Sequence, residues 1–155
     1  MSAYGSIDQA KAGFVYGLDH NIETRVVPSG TTFAFGDPVF VDEGDEAKAY
    51  KADSNDASLK FLGVAIVSQR SFNDSQGEYV AYDTMNVLTR GEVYVTVPSG
   101  LSSIANKSAY VIDDQSNDDY EKFTTTAAGN YDCGCYFKSN PNSDNLVRIE
   151  VRGMK

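Results

Sequence analysis

The chain has 155 residues, 41% hydrophobic and 23% charged, which are the proportions of one globular body and not of a disordered segment. A net charge of −9, with the 13 Lys and Arg residues scattered, excludes nucleic acid as the natural partner, because no basic patch stands against the overall field. No run approaches the roughly 18 apolar residues of a membrane helix, and no basic segment followed by an apolar run opens the chain, so a soluble protein made in the cytoplasm is expected.

Ten Tyr and 8 Phe without Trp suit a sheet-rich core. In chain order, residues 1–21 read as an irregular N-terminal arm. Ser6 and Gln9 have capping-box spacing, but Gly5, Gly13 and Gly17 weaken any helix that would follow. Phe14, Val15, Tyr16 and Leu18 supply apolar anchors, so the arm is expected to lie across another surface, its own or a neighbour's.

Ile22 to Val27 predicts a short strand, followed by a Pro28-Ser29-Gly30 turn, a run to Phe35, and turn chemistry at Gly36-Asp37-Pro38. Val39 to Val41 is the next strand. The acidic stretch Asp42 to Glu46 forms a hairpin loop before Ala47 to Ala52. From Leu59 to Ser68 both faces are apolar, the mark of a strand buried from two sides, with Gly63 leaving room for a close neighbour. A polar loop from Ser71 to Gly77 then leads through Glu78 to Tyr82 towards the central stretch, Val87 to Gly100. There Val93, Val95 and Val97 alternate with Glu92, Tyr94 and Thr96, and Pro98 ends the strand. Gly91 predicts a bulge that re-aims it.

The second half follows the first. Val27-Pro28-Ser29-Gly30 returns as Val97-Pro98-Ser99-Gly100, an offset of 97 − 27 = 70. Ala109 to Ile112 falls on Pro38 to Val41, and Gly134 on Gly63, each at an offset of 71. Acidic loops follow the first strand of each pair. The last strand, Leu146 to Arg152, alternates Val147, Ile149 and Val151 with Arg148, Glu150 and Arg152. The expected fold is all-β: a compact antiparallel β-barrel or sandwich built from two weakly similar halves, about 22–90 and 91–155, within a single domain spanning 22–155.

Reactive groups are few, and no catalytic residue is assigned. His20, the single histidine, has no serine elbow or cysteine partner and reads as a solvent-exposed loop residue. Cys133 and Cys135 are too few for a structural zinc site, disulfide geometry is too narrow for an easy bridge between them, and both read as reduced core thiols. The acid runs Asp42, Glu43, Asp45, Glu46 and Asp113, Asp114, Asp118, Asp119 do not fit a calcium loop and read as solvated hairpin tips. No phosphate-cradling motif occurs, so neither cofactor nor metal is expected. Tyr79, Tyr82 and Tyr94 read as packing residues, with a glycan-binding surface as the alternative.

Phe35-Gly36-Asp37-Pro38-Val39-Phe40-Val41, Phe61-Leu62-Gly63-Val64-Ala65 and the run from Met85 to Val95 together resemble the structural cement, or capsid decoration, proteins of tailed bacteriophages. Gln9-Ala10-Lys11-Ala12-Gly13 is similar to that family's arm, and Cys133-Gly134-Cys135 stands where the family repeats its Leu-Gly-Val-Ala element. The aromatic, cysteine-containing second half and Leu101-Ser102-Ser103-Ile104 depart from the pattern. The resemblance implies a non-enzymatic virion protein on the outer capsid surface. It would act as a homotrimer that binds the major capsid protein and stabilises contacts between its subunits, with Phe14, Val15, Tyr16 and Leu18 as the capsid-binding arm. The rival expectation is a receptor- or glycan-binding head or tail ornament.

Overall fold

The computed structural model describes residues 11–67 and 77–153. The Ser6 to Gln9 capping box, the start of the Gln9 motif and the loop residues 71–76 lie outside them. Every element among the described residues is a strand. In the first half β1 (Val15–Val26) is followed by β2 (Phe33–Ala34), β3 (Pro38–Asp42), β4 (Asp45–Tyr50), β5 (Leu59–Ala65), β6 (Glu78–Tyr79) and β7 (Thr84–Thr96). In the second, β8 (Ser108–Val111), β9 (Phe123–Thr124), β10 (Tyr131–Phe137) and β11 (Leu146–Arg152) complete the chain.

Nine strands form one sheet in the order β1-β4-β3-β5-β7-β11-β10-β8-β9, and β2 with β6 makes a separate ribbon. The order repeats itself in mirror sense. β4-β3-β5-β7 runs towards the middle and β11-β10-β8-β9 runs away from it, so the antiparallel pair β7 and β11 is the seam between like sets of strands. That seam is regular, from Thr96 opposite Leu146 to Arg90 opposite Arg152.

The all-β expectation holds, but the sheet is mixed and not purely antiparallel, and it is not a true barrel. β1 pairs antiparallel with β7 and also meets β4, in parallel, at Val26 opposite Lys48. This closes β1, β4, β3, β5 and β7 into a ring. Among the described residues no strand plays the part of β1 in the second half, which ends at β9. The sheet is therefore mixed and only partly ring-closed. β1 also takes in residues 15–21, where the glycines had pointed to irregular structure, and continues past a break in register into the expected Ile22 strand.

The core follows from alternation. Phe40 on β3 and Phe61 and Val64 on β5 face a cluster that also holds Val93, Val95, Phe123, Phe137, Val147 and Ile149, from both halves. Val39, Val41, Leu62 and Ala65 turn the other way, into a second cluster with Phe33, Tyr79, Met85 and Val87. β3 and β5 are thus buried on both faces, as the unbroken apolar run of β5 predicts. Aromatic edges stitch the halves together: Phe40 meets Tyr131 at 4.9 Å between centroids and Phe61 meets Phe123 at 6.5 Å. Val93, Val95 and Val97 are fully buried, whereas Tyr94 and Thr96 are half-buried on the opposite face.

Candidate functional site

The arm begins as a strap and ends as a protrusion. Gly13 N–H donates to the Tyr94 carbonyl at 2.8 Å, Tyr94 N–H to the Phe14 carbonyl at 3.0 Å, and Val67 N–H to the Gly13 carbonyl at 3.1 Å. The strap can lie this close because two glycines meet there. Gly13 has a φ of +84° and a Cβ on it would fall 2.7 Å from the Phe35 Cβ, while one on Gly36 would fall 2.7 Å from the Ala12 Cβ. Phe14 and Val15 are half-buried, and Val15 packs against the main core. Next, Tyr16 turns its ring edge-on to Tyr94, 6.3 Å between centroids, beneath the Arg148 guanidinium at 4.1 Å. Arg148 is held in turn by Glu92, 3.1 Å from Nε to the carboxylate.

Beyond Tyr16 the strand leaves its register. Tyr16 pairs with Glu92 and Asn21 with Arg90, so residues 17–20 bulge out opposite the single residue Gly91. Gly91 has a φ of +132°, and a Cβ there would lie 2.8 Å from the His20 Cβ. The extra residues belong to β1, so Gly91 faces the bulge and is not itself the bulge expected of it, and β7 passes through Gly91 in regular register with β11. On the protrusion Leu18 is 97% exposed and His20 is exposed. Of the four arm residues, then, the first two dock on the chain's own body and Leu18 faces outward, with Tyr16 between.

Sequence reasoning passed over the apolar surface that continues from this point. The exposed large hydrophobic residues among those described are Tyr16, Leu18, Ile22 and Val26, all on β1, with Val80 and Tyr82. The last two flank the turn that hydrogen-bonds to the end of β1: Tyr82 N–H donates to the Val27 carbonyl, and Val27 N–H to that of Asp83. The signal was available in Ile22, Thr24 and Val26, which alternate with Asn21, Glu23 and Arg25 as in an amphipathic strand. Here the apolar face of such a strand meets solvent.

The remaining polar groups do structural work. Lys51 Nζ bridges Asp37 at 3.1 Å and Glu121 at 3.0 Å and sits 4.3 Å from the centre of the Phe33 ring. Burial, reinforced by the Asp37 charge, raises the Glu121 carboxyl to about 7. This group ties the turn before β3 to the turn before β9, and thus one half to the other. Carboxylates of the acidic loops and of the bridge after β4 cap their own backbones: Asp42 accepts from Gly44 N–H, Asp53 from Asn55, Asp56 from Ser58 and Asp114 from Ser116. Asp113, however, is buried and not a solvated tip, and burial raises its carboxyl. Among the described residues no group of three or more His, Cys, Asp or Glu side chains is placed to hold a metal ion.

Cys133 and Cys135 are free and buried, and Cys133 Sγ donates to the Ala109 carbonyl at 3.3 Å. The hydrogen bond shared with Cys133, and then burial, push the Cys135 thiol well up. Tyr79 lies in the second core cluster, its hydroxyl on the Ile66 carbonyl, so Tyr79, Tyr82 and Tyr94 do not form one exposed platform. No helix among the described residues is long and apolar enough to cross a membrane.

Residues 7–152 match the model of a family described as structural cement protein (E217 gp24/Pam3 gp6). No curated protein matches the sequence. Among solved structures, a chain from the capsid of Myoviridae phage XM1 shares the fold, with a TM-score of 0.74 at 20% identity over 92% of this chain and 89% of that one.

Proposed function

The chain belongs to the phage structural cement protein family and is a non-enzymatic component of a phage capsid, and from that premise we propose that it clamps the shell from outside, as a homotrimer bracing adjoining major capsid protein subunits. Phe14, Val15, Tyr16 and Leu18 form the capsid-binding arm in this reading. Its root is fixed on β7 and its tip is free to enter a groove between subunits. One observation carries it: a leucine exposed to 97% on a bulge that the rest of the fold holds in place with two close glycine contacts, at Gly13 and Gly91. Leu18 does not stand alone: Tyr16, Ile22 and Val26 on the same strand are exposed with it, and such a run of apolar side chains, unlike a single one, marks a contact surface.

A trimer suits the task because three weak contacts made at once raise the effective concentration of each. The body behind the arm, residues 22–155, acts as one domain of two related halves. Sedimentation of the purified chain with shells lacking it tests the proposal, together with its mass in solution. Binding by a trimer is expected. Failure to sediment with shells, or a monomer that binds as well as any assembly, overturns the respective part.

A further inference from the structure

We infer that the outer edge of β1 is a strand-addition site for an extended segment of the capsid subunit, an inference that rests on the cement reading above and places the contact beyond the arm. Alternation along the strand shows the edge. Val27 N–H donates to the Asp83 carbonyl, and the register continues with Arg25 opposite Met85 and Glu23 opposite Val87. Odd-numbered residues therefore exchange backbone hydrogen bonds with β7, and Ile22, Thr24 and Val26 direct theirs to the other side. Val26 meets β4 there. Among the described residues no strand lies beside Ile22 and Thr24. The Thr24 carbonyl is engaged by the Arg25 guanidinium at 2.8 Å, a guard that a docking strand would displace.

Side chains along this edge fit the same use. Ile22 and Val26 stand exposed on one face with Thr24 between them, Leu18 protrudes at one end, and Val80 and Tyr82 flank the other. An unpaired edge of this length, without proline and with apolar side chains in water, is what natural sheets avoid unless a strand is to be added. The cement reading selects the occupant, because a cement protein contacts capsid protein. Charge beside the edge is balanced, with Asp19 next to Arg90 and Glu23 holding Arg25, so the contact rests on the strand edge and its apolar side chains. The fitting partner is an extended capsid segment, apolar at alternate positions.

The test is amide hydrogen exchange on the wild-type chain, free and bound to shells assembled without it, beside the binding of two variants. The Ile22 and Thr24 amides should exchange at least about tenfold more slowly in the complex. Thr24→Pro removes an outward N–H while leaving the bonds to β7, and should weaken binding at least about tenfold without changing the thermal melt, whereas Thr24→Val should bind as wild type. Unprotected amides in a formed complex overturn the inference, even if the proline variant fails to fold. So does a folded Thr24→Pro that binds normally, or protection already present in the free chain, which would assign the edge to another copy of the chain. A wild-type chain that does not bind shells removes the cement reading itself, and the inference with it.

Discussion

Gly63 lies against Leu88 with backbone on backbone: a Cβ at position 63 would fall 2.0 Å from the Leu88 carbonyl oxygen and 2.8 Å from its carbon. β5 and β7 meet here, at the point where the ring of strands passes into the seam between the halves. No side-chain rotation relieves such a clash, because the atoms in the way belong to a paired strand. Gly63→Ala should cost about 3 kcal/mol or more, at the upper end of overpacking effects, and show as a large fall in the denaturant midpoint.

Gly91→Ala meets two obstacles, a φ of +132° and the His20 Cβ at 2.8 Å. A loss of about 1–3 kcal/mol is expected. His20→Gly in the same chain removes the second obstacle and leaves the first, so the double variant should recover part of the loss. Full additivity of the two changes in denaturant melts would show that the β1 bulge does not press on Gly91.

Val95 is fully buried in the cluster that draws on both halves, while Glu92 lies on the half-exposed face of the same strand. Val95→Asp should abolish the folded state of the whole chain, since an unpaired charge in the shared core costs several kcal/mol. Glu92→Ala should cost no more than about 1 kcal/mol, the worth of a partly exposed pair with Arg148. Calorimetry with separate transitions for the two halves would contradict the single core.

Glu121 makes stability depend on pH in a direction unusual for a carboxylate. Its folded value of about 7 lies above the ordinary 4.5, so the folded chain holds the proton more tightly. The contribution is complete below about pH 4.5 and is lost as pH rises through 7. Glu121→Gln should therefore flatten the fall in melting temperature between pH 5 and about pH 8. Lys51→Met should destabilise more at pH 8 than at pH 5, because two charged carboxylates then face each other without the cation.

Much of this was legible in the chain because burial writes itself into alternation. Val93, Val95 and Val97, the two-faced run of β5 and the close approach at Gly63 were all readable for that reason. Phe123-Thr124, too short to show a period, was not, and neither was the ring closure through Val26 and Lys48, which a single pairing makes. β1 misled in a more informative way. Its glycines marked an arm, and Gly13 and Gly17 do take positive φ, yet pairing with β7 draws the segment into a strand. Its exposed apolar face reads as an ordinary core strand until the fold shows which way it points, since a surface kept for another protein leaves the same pattern as one kept for the core.

A cement protein must strengthen the shell it binds. Capsids lacking it, heated with and without saturating purified protein, should release their DNA at a clearly higher temperature when it is added, and Leu18→Ser should reduce that gain while leaving the chain's own melt within about 0.5 kcal/mol of wild type. An unchanged release temperature at saturation would contradict the cement function.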